Sequence, residues 1–467
     1  MGNKEEIILP KGFEEMVRGV IGNDQWDAFV GALSDEPSVS VRINAQCTMH
    51  NAQLDNGQQA AVKWCEWGRY LAERPKFTYD PTFHAGAYYV QEASSMFVWQ
   101  ALEQYVEKDA VVLDMCAAPG GKSTAIAQYL SKDGFLVSNE YVSQRAHVLV
   151  ENITKWGAPN CLVTNNAPRH FEKLKVKFDA ILVDAPCSGE GMFRKDERAR
   201  EEWSPANVEM CVERQREILE SAWEVLTPGG VLIYSTCTFN SHENEEQVQW
   251  LIDEMEAEYL PIKIGEDWMI TETERGYRFL PHKTRGEGLF LAVVRKPRQI
   301  TDYRLQITDD RAQSKSEKRG KNKKSAVNNQ RSMVDVRVAD LLEGDFVVME
   351  CEGRYHAVQN SRVDLVTECR KMLNVLAFGV QIFEQKGKDL IPQASLAMSQ
   401  AYKRGAYPEV ELSYEEAISF LRKEAIVLAD APRGFVLVTY NGLPLGWVKN
   451  IGNRCNNLYP EFWRIRN

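Results

Sequence analysis

No apolar run in this 467-residue chain approaches the ~20 residues that a membrane-crossing helix requires, so no such helix is expected. Near the N-terminus the only apolar run is Ile7-Ile8-Leu9, too short for the core of a signal peptide, which makes the cytoplasm the expected location. Ten cysteines are present, yet there is no CxxC pair and none of the close spacing of zinc sites or secreted disulfide frameworks. Reduced thiols and no metal are therefore expected. Basic charge is also scarce: 56 Lys and Arg stand against 66 Asp and Glu, a net charge of −10 that taken alone argues against a nucleic-acid partner. No internal repeat is visible.

What is present is an ordinary globular composition, 44% hydrophobic and 26% charged. At roughly three times the usual ~150 residues per domain, the chain has room for two to four domains, each with its own core. Its charge is unevenly spread. Between residues 311 and 331, eight basic residues face the single acid Glu317, a local +7 that leaves −17 on the remainder. That stretch is rich in Ser, Asn, Gln and Gly and nearly free of apolar side chains, so a basic flexible linker able to touch phosphates is placed at 301–332. It separates an N-terminal α+β region (1–105) and an α/β domain (106–300) from a small α+β domain (333–400) and a small mixed or barrel-like module (401–467).

The α/β domain alternates short apolar runs with amphipathic segments, the pattern of a mostly parallel, doubly wound Rossmann-like sheet. Strands are expected at 111–114, 135–140, 180–184, 231–235 and 289–294, helices at 123–130 and 143–156, and a turn at Thr227-Pro228-Gly229-Gly230. Beyond the linker, short strands are expected at 345–350 and 434–440.

Three strings in this domain carry chemistry. Asp114-Met115-Cys116-Ala117-Ala118-Pro119-Gly120-Gly121-Lys122-Ser123-Thr124 is a glycine turn between strand and helix, at the sheet edge where doubly wound folds bind ligands. A phosphate loop would need GxxxxGK[ST]; its first glycine falls on Cys116, and Pro119 removes an amide donor, which disfavours a nucleotide triphosphatase. A nucleoside with a charged tail fits better, because Glu140 stands about twenty residues on, at the end of the second strand, where a carboxylate accepts two ribose hydroxyl bonds. The other strings are Asp184-Ala185-Pro186-Cys187-Ser188-Gly189-Glu190-Gly191 and Ser235-Thr236-Cys237-Thr238. Two cysteines at the carboxyl ends of two strands point to thiol chemistry, provided a thiolate is stabilised. A helix starting near Ser241 or His242 would supply a positive N-terminal end for Cys237. Nothing in the residues themselves orders the two thiols.

These strings, in this order and spacing, resemble the Nol/Nop/Sun family of RNA cytosine-C5 methyltransferases, which use S-adenosylmethionine. Tyr88-Tyr89-Val90-Gln91-Glu92-Ala93-Ser94-Ser95-Met96 and Leu280-Pro281-His282-Lys283-Thr284-Arg285-Gly286-Glu287-Gly288 match it as well. Beyond the linker, Ile391-Pro392-Gln393-Ala394-Ser395-Leu396-Ala397 and Asn441-Gly442-Leu443-Pro444-Leu445-Gly446-Trp447-Val448-Lys449 look like the C-terminal region of the RsmF-type bacterial ribosomal RNA enzymes, which ends in a PUA-like RNA-binding module.

The resemblance implies methylation of cytosine C5 in RNA, most simply 16S ribosomal RNA, with the rRNA or the small subunit as partner and a monomeric enzyme. It implies that Cys237 attacks C6 of the base, that Cys187 assists release and that Asp184 stabilises the ring. C5 of cytosine is too weak a nucleophile to take a methyl group until a thiolate has added at C6. For the cofactor it implies contacts from Cys116, Ala117, Ala118, Pro119, Gly120, Gly121, Lys122, Glu140 and Asp184. In many relatives an aspartate faces the adenine from the loop that reads Val163-Thr164-Asn165-Asn166-Ala167-Pro168 here. The aligned residue is Ala167, and Asn166 or a backbone amide is expected in its stead. Arg194 and Lys195 are the candidates for phosphate contacts near the target nucleotide. A base in structured RNA must be extruded to be methylated, so the flanking regions are expected to grip RNA. A ribosome-assembly factor that only retains the fold is the competing reading, and the presence of both cysteines counts against it.

Overall fold

The computed structural model describes residues 7–47, 60–298 and 333–466, so the expected linker at 301–332 lies outside the described residues. The N-terminal part opens with helices Phe13–Ile21 and Trp26–Leu33. A three-stranded antiparallel sheet follows, made of β1 (Val39–Ile43), β2 (Gly68–Leu71) and β3 (Tyr88–Val90) in the order β2-β1-β3. Spacing along the first helix puts Phe13, Val17 and Ile21 on one face. That face, with Trp26 and Phe29, closes over Phe193, Trp203 and Phe239 of the next domain.

The α/β domain contributes β4 (Val111–Asp114), β5 (Phe135–Asn139), β6 (Cys161–Thr164), β7 (Phe178–Asp184), β8 (Leu226–Thr236), β9 (Glu258–Tyr259), β10 (Thr271–Thr273), β11 (Gly276–Phe279) and β12 (Leu289–Arg295). Five of them run parallel in the order β6-β5-β4-β7-β8, and β12, β11 and β10 continue the sheet antiparallel. Their near-continuous apolar runs suit a sheet covered on both faces by helices. Leu113, Val137 and Leu182 are fully buried, each contributing about 1.5–3 kcal/mol of hydrophobic stabilisation. From β4 the chain winds outward to β6, then returns to β7 on the other side of β4. The carboxyl ends of β4 and β7 therefore form the reversal point where ligands of such sheets bind.

Three local differences from the sequence reading have physical causes. Strand β6 is not among the expected strands, because Cys-Leu-Val-Thr, although as long as β4, is only moderately apolar. The helix after β4 starts at Gly121, two residues earlier than expected, since Gly120 at its N-cap takes the left-handed φ of +117°. Residues 227–230 do not turn back; they are carried within β8 as an irregularity, with Gly229 at φ +83° and a register shift opposite Phe178 and Ala180.

From residue 333 on come helix Met333–Leu341 and strands β13 (Phe346–Cys351), β14 (Arg354–Gln359), β15 (Val375–Phe378), β16 (Val380–Lys386) and β17 (Asp389–Pro392). Four of these form an antiparallel sheet, β13-β14-β16-β17. The fifth, β15, leaves that sheet and pairs antiparallel with β6, so the segment drawn as a separate domain adds a strand to the α/β sheet and covers its open edge. The last sheet is β18 (Glu409–Glu411), β19 (Gly434–Tyr440), β20 (Leu443–Asn450) and β21 (Cys455–Asn457). Among the described residues no helix is long and apolar enough to cross a membrane.

Candidate active site

At the end of β4 the chain passes Asp114 and turns through Cys116 and Pro119 into helix Gly121–Tyr129. The Met115 N–H donates to the Leu182 carbonyl (2.9 Å) and the Ala117 N–H to the Asn139 carbonyl (2.8 Å), which pins the turn to both neighbouring strands. Helix Ser143–Trp156 holds it from the other side: Arg145 Nη2 donates to the Ala118 carbonyl (2.6 Å) and Asn152 Nδ2 to the Pro119 carbonyl (2.7 Å). Glu140 lies just past the end of β5, 4% exposed, with Oε1 accepting from the Val142 N–H at 2.8 Å and Oε2 3.7 Å from Arg145 Nη1. Arg145 thus ties the acid to the glycine turn.

The electrostatics of this turn favour a cation. Asp114 is wholly buried; Ser123 Oγ donates to its Oδ2 at 2.6 Å, and its Oδ1 has no partner among the described residues. Burial pushes its carboxyl up to about 7. Burial, and then the charges of Asp114, Asp184 and Glu140, push the Cys116 thiol well above its ordinary range. Three carboxyl groups stand here against two cations, Lys122 and Arg145, a balance that disfavours a phosphate and suits a positively charged ligand such as a sulfonium.

The two cysteines meet at the same edge. Strands β7 and β8 are parallel neighbours with Asp184 opposite Ser235, so the loops after them emerge side by side, and Cys187 Sγ lies 3.2 Å from Cys237 Sγ. Two buried carboxylates lock these loops. Glu190 accepts from the Phe239 N–H (2.6 Å), the Asn240 N–H (2.9 Å), Asn240 Nδ2 (2.8 Å) and Trp203 Nε1 (3.0 Å). Glu243 accepts from the Ser188 N–H (2.9 Å), Gln215 Nε2 (2.9 Å) and Asn240 Nδ2 (2.7 Å). The hydrogen bond with Cys237, then burial, pushes the Cys187 thiol well up, so this sulfur keeps its proton.

Beside them Lys122 Nζ sits 2.7 Å from Asp184 Oδ1, which also accepts from Ser235 Oγ at 2.7 Å. Burial works against the Lys122 charge, but Asp184, Cys237 and Asp114 outweigh it and raise its pKa. An ammonium ion is therefore at hand to stabilise a thiolate at Cys237. The helix expected near Ser241 or His242 starts only at Glu245. Asn240 spends its side chain on Glu190 of the neighbouring loop and Asn244 Nδ2 donates back to the Thr238 carbonyl at 3.0 Å, which competes with helix formation there. Among the described residues no cluster of His, Cys, Asp or Glu could hold a metal ion.

Cys116, Lys122, Glu140, Asp184, Cys187 and Cys237 thus gather at one sheet edge. Arg194 requires a correction. Its side chain is 7% exposed, with Nε donating to Glu287 Oε2 (2.7 Å) and Nη2 to the Gly286 carbonyl (2.6 Å), so this buried ion pair leaves no free fork for a phosphate. Lys195 Nζ lies 3.3 Å from Glu287 Oε1 and remains partly exposed. Asn166 is also engaged elsewhere: its Nδ2 donates to the Asn374 carbonyl (3.2 Å) and its Oδ1 accepts from the Asn374 N–H (3.1 Å). Sequence reading missed Glu190, Arg145 and Asn374. Only Glu190 carried a signal, as a charged residue between two glycines in the Cys187 string.

Fold and site together define a Rossmann-like methyltransferase domain. Residues 101–295 match the family described as 16S rRNA methyltransferase RsmB/F, residues 9–93 the N-terminal domain of 16S rRNA methyltransferase RsmF, and residues 407–465 the methyltransferase RsmF PUA domain. The chain belongs to the ribosomal RNA small subunit methyltransferase F family. It is 30% identical to that protein of Vibrio campbellii over 97% of both chains, and 32% identical to that of a Shewanella species over 93% of this chain and 92% of the relative. A methyltransferase homolog protein from Pyrococcus horikoshii superposes with a TM-score of 0.53 at 29% identity, covering 61% of this chain and 94% of that one.

Proposed function

We propose that this protein methylates C5 of cytosine in the RNA of the small ribosomal subunit, 16S rRNA, through a covalent bond between Cys237 and C6 of the base. The observation that carries the reading is the pair of thiols 3.2 Å apart at the ends of β7 and β8, next to the Lys122–Asp184 ion pair. S-adenosylmethionine, when bound, supplies the methyl group as an electrophilic sulfonium, and the carboxylate-lined turn suits its charge. Cys116, Ala117, Ala118, Pro119, Gly120 and Gly121 form the turn around its amino-acid end, and Glu140 accepts from its ribose hydroxyls.

Lys122 stabilises the Cys237 thiolate, which adds to C6. Asp184 carries its second oxygen free of bonds to the described residues, and a proton on that oxygen when the base is bound donates to N3 as electrons move towards it. C5 thereby gains the nucleophilicity to attack the methyl group. Water then takes the C5 proton, the C–H pair restores the ring double bond, and the C6–sulfur bond breaks with its electron pair returning to the Cys237 sulfur. Cys187, which keeps its proton, is the group beside the leaving sulfur. The PUA-like end and the N-terminal region hold the RNA while the base is extruded.

The test separates the two thiols. Cys237→Ala should abolish both methylation and covalent RNA adducts, whereas Cys187→Ala should accumulate a protein–RNA adduct that survives a denaturing gel. An adduct seen with Cys237→Ala and absent with Cys187→Ala reverses the roles. Full methylation by both variants removes the covalent mechanism.

A further inference from the structure

If the cofactor's ribose is held by Glu140 at the end of β5, its adenine lies towards the next strand end, where the loop after β6 begins. The side chains of that loop are largely spent, with Asn165 Oδ1 the one amide end that makes no hydrogen bond among the described residues. Asn165 Nδ2 is spent on the Glu140 and Tyr141 carbonyls (2.7 and 2.8 Å), both ends of the Asn166 amide are spent on Asn374, Ala167 carries only a methyl group and Pro168 has no donor.

What stands against this loop is the segment leading into β15, brought back from beyond the linker. The main chain of Asn374 is fixed there by three bonds: its carbonyl accepts from the Asn165 N–H (3.0 Å) and from Asn166 Nδ2 (3.2 Å), and its N–H donates to Asn166 Oδ1 (3.1 Å). The anchoring loop is continuous with the cofactor turn, since Asn139 Nδ2 donates to both the Asn166 carbonyl (3.0 Å) and the Met115 carbonyl (3.1 Å). The Asn374 side chain, by contrast, is exposed and makes no hydrogen bond with the described residues. A carboxamide presents an acceptor and a donor side by side. It complements the adenine edge, whose 6-amino group donates and whose ring nitrogen accepts.

We infer that the Asn374 carboxamide, supplied by the segment after the linker, hydrogen-bonds the adenine of the cofactor and sets the selectivity for that base. Asn166 is then a positioning residue that seats Asn374. This rests on the reading of the site as one for S-adenosylmethionine. It assigns part of the cofactor pocket to the part of the chain that follows residue 332, outside the α/β domain.

The full-length protein is titrated by calorimetry with S-adenosylhomocysteine and with an analogue whose base lacks the 6-amino group. Wild type should prefer the adenine form by about threefold to tenfold, the range of one neutral hydrogen bond. Asn374→Ala, which leaves the main-chain bonds untouched, should bind both forms alike, and Asn374→Asp, which keeps an acceptor for the amino group, should restore the preference. A preference retained in Asn374→Ala, or absent from wild type, overturns the inference while leaving the cofactor reading standing. A wild-type protein that binds neither compound overturns the cofactor reading itself.

Discussion

Glu190→Gln isolates what holds the two thiols together. The Glu190 carboxylate is fully buried and accepts four hydrogen bonds, two on each oxygen, from Phe239 and Asn240 just after Cys237 and from Trp203. Glutamine keeps one acceptor oxygen and turns an NH2 group towards the other two donors. At about 1.5–3 kcal/mol for a hydrogen bond to a charged acceptor, losing two costs about 3–6 kcal/mol, and local relaxation recovers part of that. A net loss of about 3–5 kcal/mol is large beside the ~5–15 kcal/mol that holds a typical domain folded. Urea unfolding followed by circular dichroism should show the transition of the α/β domain moved to clearly lower denaturant. Methylation measured where the variant is still folded should fall about 100-fold, the usual consequence of moving a reacting group by ~1 Å. An unchanged midpoint with an unchanged rate would refute the view that Glu190 positions the cysteine loops.

Two other perturbations test the frame around the site. Burial raises the Asp114 carboxyl to about 7, above its ordinary value of 3.8, so the folded state holds a proton that the unfolded state has released. Stability from this group is present below pH ~4 and is lost as pH rises to ~7, so the stability of Asp114→Asn relative to wild type should grow across that window by a few kcal/mol; a difference independent of pH in urea titrations contradicts the shift. Gly157 ends helix Ser143–Trp156 at φ +82°, and a Cβ there would lie 2.1 Å from the Met398 carbonyl, whereas Gly405 at φ +83° has open space around it. Gly405→Ala should cost about 1–2 kcal/mol for backbone strain alone, and Gly157→Ala clearly more because it also pushes the C-terminal part off the helix; equal costs in chemical denaturation would show that this contact is slack.

The α/β core was legible because its strands are apolar runs of ordinary length punctuated by glycine turns. β4, β5, β7 and β12 fall within a residue or two of where the pattern puts them. Failure came where the deciding force is tertiary. β6 is as long as β4 but less apolar, and it is held by β5 on one side and β15 on the other. Arg194 looked like a solvent-facing base because its partner, Glu287, lies 93 residues away. Asn166 looked free for the same reason, its partner being 208 residues away.

Sequence by itself determined the chemistry on offer: a glycine turn that disfavours a phosphate loop, an acid one strand further on, and two cysteines each at the end of an apolar strand. These are local patterns of period, turn and residue type, and they need no knowledge of what lies across the sheet. Tertiary structure decided which of those groups work together, because strand order alone sets Cys187 beside Cys237, Lys122 beside Asp184 and the post-linker segment beside the loop after β6. The net acidity that first argued against RNA says little, for charge summed along a chain does not report how individual cations are paired, and Arg194, buried against Glu287, is the plainest case.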